Sequence, residues 1–157
     1  MDFSKARKEI EAGRLERARE IVASKLSGAK FSEQGTSLLG DILLQLGELS
    51  EAGRYLLFVD RKSEQVEAAC QAFLKQHGAS ATQLVSKLPS SAIVADGEIF
   101  NTETLKRRLM EAGIDYTQFE EAVAARADNK SGVGKENKNK EENTLLAWIV
   151  RFFQLFS

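Results

Sequence analysis

The chain has 157 residues, 43% of them hydrophobic and 29% charged, with 22 Lys and Arg against 23 Asp and Glu. That length holds one ordinary core with at most an appendage, and the near-average composition excludes both a wholly disordered chain and a multi-span membrane protein. Balanced charge removes the broad positive field that most nucleic-acid binders use, so no nucleic-acid partner is expected.

Apolar residues at three- and four-residue spacing predict four opening helices, at Phe3–Ala12, Leu15–Leu26, Ser32–Leu46 and Leu49–Val59. They fall into an internal repeat. GRLERA starts at Gly13 and GELSEA at Gly47, thirty-four residues later, with Leu15 matched by Leu49 and Ala18 by Ala52. Gly accepts the left-handed backbone that ends one helix, and the Ala a turn later lets the next helix cross closely. Each unit therefore reads as a helical hairpin.

The period and the Gly-x-Leu-x-x-Ala core resemble the tetratricopeptide repeat over about the first 65 residues. Leu39-Gly40 stands where that repeat has its Leu-Gly pair. Lys5-Ala6 occupies that place in the first unit, Thr36 holds the usual tryptophan position, and neither unit has the closing proline. LGELSEAGRYLLF, followed by an acidic helix containing Ala72-Phe73, also resembles an uncharacterised bacterial family with a Gly-Asp-x-x-x-Ala-Gly-Arg-Trp signature and no established activity. Tetratricopeptide arrays hold peptides on the concave face made by the first helix of each hairpin. Carried over by register, the resemblance implies a partner-binding set of Phe3, Arg7, Ile10, Ser37, Asp41, Leu44 and Gln45. Phe3, Ile10 and Leu44 would supply apolar area while Arg7 and Asp41 set orientation. Ile10 and Leu44 can equally pack between hairpins.

A fifth helix is expected over Glu64–Gln76, with Val66, Ala69, Cys70, Phe73 and Leu74 inward and Gly78 as its stop. After a polar interval, AIVADGEIF sets short apolar runs around Asp96-Gly97 and predicts one small β-hairpin near 92–100, lying on the helices. Asn101 or Thr102 then caps a helix carrying Leu105, Leu109 and Met110 that Gly113 ends, and another runs from Tyr116 to Ala127. The expected organisation is a repeat-like helical domain (1–78), a β-hairpin and helical hairpin packed on it (79–127), a flexible linker (128–143) and an apolar helix (144–157). The fold class is mainly α.

The linker DNKSGVGKENKNKEEN carries balanced charges, which gives no pull toward an anionic lipid surface. Twelve residues from Leu145 to Phe156 make about 18 Å of helix, too short for the roughly 30 Å core of a bilayer. Thr144, Ala147, Arg151 and Gln154 form a narrow polar stripe there. Trp148, Ile149, Phe152, Phe153 and Phe156 are the docking residues of the broad apolar face, which covers the chain's own core, a partner or a membrane surface.

Nothing in the chain assembles into a catalytic or metal-binding set. His77, the one histidine, closes a helix whose C-terminal dipole favours it. Cys70 sits among apolar neighbours with no second histidine to activate it, and it cannot form an internal disulfide. The pairs Glu120-Glu121 and Glu141-Glu142 diverge by about 100° on a helix. SGVG at Ser131–Gly134 lacks the lysine of a phosphate loop, and KRR at Lys106–Arg108 reads as an exposed helix face. No cofactor and no metal are expected. The first residues, MDFSKARKEI, are charged rather than an apolar signal core, which with the lone cysteine favours the cytoplasm. The function expected is non-enzymatic binding of another protein or peptide, as an adaptor or a bacterial immunity protein. The alternative is a peripheral membrane or assembly factor anchored by the closing segment.

Overall fold

The computed structural model of the chain describes residues 1–28, 30–93 and 99–129. They form α1 (Ser4–Glu11), α2 (Leu15–Ser27), α3 (Glu33–Gln45), α4 (Leu49–Leu56), α5 (Glu64–His77), α6 (Ala81–Lys87), a 3-10 turn at Ser90–Ala92, α7 (Thr102–Glu111) and α8 (116–129). The mainly α expectation holds. The apolar segment with Trp148, Ile149, Phe152, Phe153 and Phe156, and most of the linker before it, lie outside the described residues. No described helix is long and apolar enough to cross a membrane.

Three of the helix ends share one chemistry. Gly13, Gly47 and Gly113 have φ of 73°, 79° and 74°, the left-handed region that costs a residue with a Cβ about 1–2 kcal/mol. In each case the next amide reaches back to a carbonyl of the finished helix: Arg14 to Glu9 at 2.8 Å, Glu48 to Leu43 at 2.9 Å and Ile114 to Leu109 at 2.9 Å. These bonds satisfy carbonyls that a bare helix end leaves orphaned, and they turn the chain into the antiparallel partner helix. Serine hydroxyls start α3, α5 and α6. Ser32, Ser63 and Ser80 accept from the amides of Gly35, Val66 and Gln83 at 3.1, 3.2 and 3.1 Å.

The two repeat units stand as the hairpins α1/α2 and α3/α4, with α2 packed on α3 and α5 laid along α4. Ala18 and Ala52 are fully buried at the crossings, as their repeat positions predict. The α4/α5 seam is closest at Gly53, where an added Cβ would lie 2.0 Å from the Ala69 carbonyl oxygen. Only glycine lets these backbones approach so far. A continuous core runs from Ala6, Val22 and Leu39 through Phe58 and Phe73 to Leu84, Leu105 and Phe119.

Four sequence expectations change here. The polar interval after Gly78 contains α6, whose Leu84 and Val85 are buried. Near 92–100 the strand pairing among the described residues is one antiparallel bridge, Ile93 with Ile99, and the Asp96-Gly97 turn lies outside them. The flank packs on the connection between α2 and α3, where Phe100 stacks on Phe31 with ring centroids 4.6 Å apart. Asn101 occupies the residue before α7 in left-handed backbone, but its side chain makes no cap; the amide donates instead to the Phe58 carbonyl. Thr102 donates to the Ile99 carbonyl. Finally, KRR does not form an exposed face. Lys106 is exposed, Arg107 is half-buried and Arg108 is only 2% exposed.

Arg108 holds the two halves of the protein together. Its Nη1 donates to the carbonyls of Leu56, Leu57 and Val59 at 2.7, 3.0 and 2.9 Å, and its Nη2 to that of Arg61 at 3.1 Å. Nη2 also meets the Glu67 carboxylate at 3.0 Å. A cation is thus placed at the C-terminal, electronegative end of α4, where orphan carbonyls and the helix dipole both favour it. Arg126 of α8 does the same for α6, donating to the carbonyls of Val85 and Leu88.

Candidate protein-binding face

Along α3, Thr36, Leu39, Gly40, Ile42 and Leu43 are buried, whereas Ser37, Asp41, Leu44 and Gln45 are not. The second group falls at spacings of four, three and one, so it shares the outer side of the helix. Asp41 carries the chemistry of that side. Its carboxylate takes both ends of the Arg61 guanidinium, with Nη1 at 3.0 Å from Oδ2, and the same Nη1 reaches the Ser37 hydroxyl at 3.4 Å. The hydrogen bond it donates to Asp41 holds Arg61 above its ordinary pKa, so it stays a cation throughout. Both side chains remain more than a third exposed. Arg61 is anchored from behind, since its own carbonyl is one of the acceptors held by Arg108.

The candidate set divides. Ser37 and Asp41 are brought together by Arg61, a residue that repeat register did not select because it lies in the connection after α4. Gln45 and Arg7 are exposed, on α3 and α1. Ile10 and Leu44 are half-buried against the core, in keeping with packing between helices. Phe3 must be withdrawn from the exposed strip. It is 2% exposed, and its ring lies where a Cβ on Gly35 would be, 2.5 Å from Cζ, so it fills the seam between the first hairpin and the start of α3.

Two concavities accompany this face. One, about 440 Å³, lies on the opposite side of α3 between α2 and α4, with Ala23, Leu39, Leu43 and Tyr55 in its floor and Arg19, Glu20, Glu48 and Glu51 around it. Arg19 spans its mouth to Glu48 at 2.9 Å. The other, of the same volume, lies between α5 and α7 and is lined by Glu67, Cys70, Gln71, Lys75, Arg108 and Glu111 among others.

The residues with intrinsic reactivity are absorbed in packing. Burial pushes the Cys70 thiol up to about 11, far from the thiolate that a nucleophile needs at neutral pH. His77 ends α5 with its ring 5.0 Å from that of Phe73. Among the described residues no group of three or more His, Cys, Asp and Glu side chains is placed to hold a metal ion.

These features define an all-α protein built from helical hairpins. The chain belongs to the family of unknown function DUF6584, which it matches over residues 2–156. No curated protein matches it. No solved structure does either.

Proposed function

We propose that this chain is a non-enzymatic interaction module, a tetratricopeptide-like array that binds another polypeptide through the outer side of α3. The observation that carries this reading is the Asp41–Arg61–Ser37 cluster: a half-exposed guanidinium, fixed in place by a bidentate carboxylate, on a face formed by the first helix of a hairpin. Its pre-set geometry lowers the ordering cost of binding. Half-buried Leu44 and Leu38 supply apolar area next to it, and exposed Gln45 can donate to and accept from a peptide backbone. An adaptor or an inhibitor of another protein would work in this way.

The test is capture from source-cell lysate, with detergent-solubilised membranes included, comparing the native chain with Arg61→Ala and Asp41→Lys. Specific polypeptides retained by the native chain are expected to be lost with both variants while the fold persists by circular dichroism. Retention undiminished by either substitution rules this face out.

A further inference from the structure

The groove between α2 and α4 lies on the side of α3 opposite Asp41, since Leu39 and Leu43 each sit two residues from it, about 200° around the helix. Its occupant is therefore a separate matter from the partner on the outer face. The floor is apolar, and about 440 Å³ falls in the range of cavities that enclose ligand-sized groups. Around it Glu20, Glu48 and Glu51 face Arg19, and even with Arg54, which pairs with Glu51 at 2.9 Å, the carboxylates outnumber the cations, so the rim is net negative.

The described chain ends in α8 at residue 129. Arg126, a turn before that end, is held to the end of α6 by donating to the Val85 and Leu88 carbonyls. From there the sequence continues with fourteen residues of linker composition, 130–143, and then TLLAWIVRFFQLFS. Fourteen residues span roughly 45–50 Å extended, more than the roughly 35 Å across a compact domain of this size, so the tether is long enough to return to the groove. The closing stretch is apolar, and its one charged side chain is a cation, Arg151. Its charge complements the acidic rim. The cleft between α5 and α7 offers no such match, because Lys75 and Arg108 offset Glu67 and Glu111 there.

We propose that Leu145–Phe156 docks in cis into the α2/α3/α4 groove, setting aromatic side chains on the floor of Ala23, Leu39, Leu43 and Tyr55 and Arg151 at the Glu20, Glu48 and Glu51 rim. A tether of this length holds the segment at millimolar effective concentration, so even weak intrinsic affinity keeps the groove filled.

Trp148 is the chain's one tryptophan, so its fluorescence reports on this segment directly. In the full chain, without lipid, docking gives a blue-shifted emission and protection from acrylamide that do not change with protein concentration. Ala23→Arg, which puts a bulky cation in the groove, is expected to move the emission to that of a solvent-exposed indole. Arg151→Glu, which places an anion against the acidic rim, is expected to do the same. In a chain stopped at Asn143 the Ala23→Arg substitution should leave the helical circular dichroism intact, which separates loss of docking from loss of fold. Solvent-like emission in the native chain overturns the proposal. So does protection that survives both substitutions, which puts the segment elsewhere, or protection that grows with concentration, which makes the occupant a second copy. Native emission that shifts blue only when anionic phospholipid vesicles are added assigns the segment to a membrane surface and overturns it as well.

Discussion

The Arg108 guanidinium lies 3.0 Å from the Glu67 carboxylate and within hydrogen-bond distance of four backbone carbonyls between Leu56 and Arg61. One side chain from α7 therefore closes the end of α4 and ties it to α5. Removing it leaves those acceptors and a partly buried carboxylate without their donor, so Arg108→Ala is expected to cost about 3–5 kcal/mol in urea unfolding. Glu67→Gln keeps an acceptor for Nη2 and should cost about 1–2 kcal/mol. Equal effects of the two substitutions would show that the carbonyl bonds contribute nothing.

Arg61 offers the opposite case with the same residue type. Its pair with Asp41 is more than a third exposed on both sides, and pairs of that kind contribute about 0–1 kcal/mol. Arg61→Ala should leave the unfolding midpoint almost in place while abolishing capture of a partner. A large loss of stability would assign the residue to the fold instead.

Glycine substitutions should rank by what the new Cβ meets. At Gly53 it is the Ala69 backbone at 2.0 Å, which cannot turn aside, and at Gly40 it is the Leu56 side chain at 2.4 Å, which can change rotamer. Gly53→Ala should therefore destabilise by about 3 kcal/mol or more and Gly40→Ala by about 1–2 kcal/mol. Thermal melts of the two variants side by side decide it; the reverse order contradicts the α4/α5 seam.

Cys70 gives a pH signature. Its thiol is raised by burial from 9.0 to about 11, so between those values the unfolded chain releases a proton that the folded chain keeps. Stability from this group is intact below pH 9 and falls as pH rises toward 11, by up to about 1.4 kcal/mol per pH unit. Cys70→Ala should flatten that decline in urea titrations at pH 8, 9 and 10. In the native chain at pH 8, a thiol reagent such as dithionitrobenzoate should react only as fast as the protein opens, and at once after denaturation.

The helices of the repeat units were legible because apolar spacing, Gly13 and Gly47 all report local geometry. The same glycine signal recurs at Gly113, where the backbone is again left-handed, whereas Gly78 ends α5 with φ of -86° and without that turn. Ser80-x-x-Gln83 was a start signal for α6 hidden in a stretch that looked merely polar. Arg108 was not legible. Three adjacent cations carry no mark that tells which one turns inward, because that depends on carbonyls about fifty residues away. Phe3 was misassigned for a related reason: register gives the helix face, but Gly35 of a different helix supplies the hole that the ring fills.

The carbonyl cradle at residues 56–61 also limits how this architecture can vary. In a simple stack of repeats each unit touches its neighbours alone, so a unit can be duplicated or deleted and the array merely grows or shrinks. Here α7 reaches back across α5 and α6 to grip the end of α4, and a hairpin inserted between Arg61 and Ser63 would carry the donor away from its acceptors. The number of hairpins is thereby locked, and the chain should melt as one cooperative unit rather than peel from its ends.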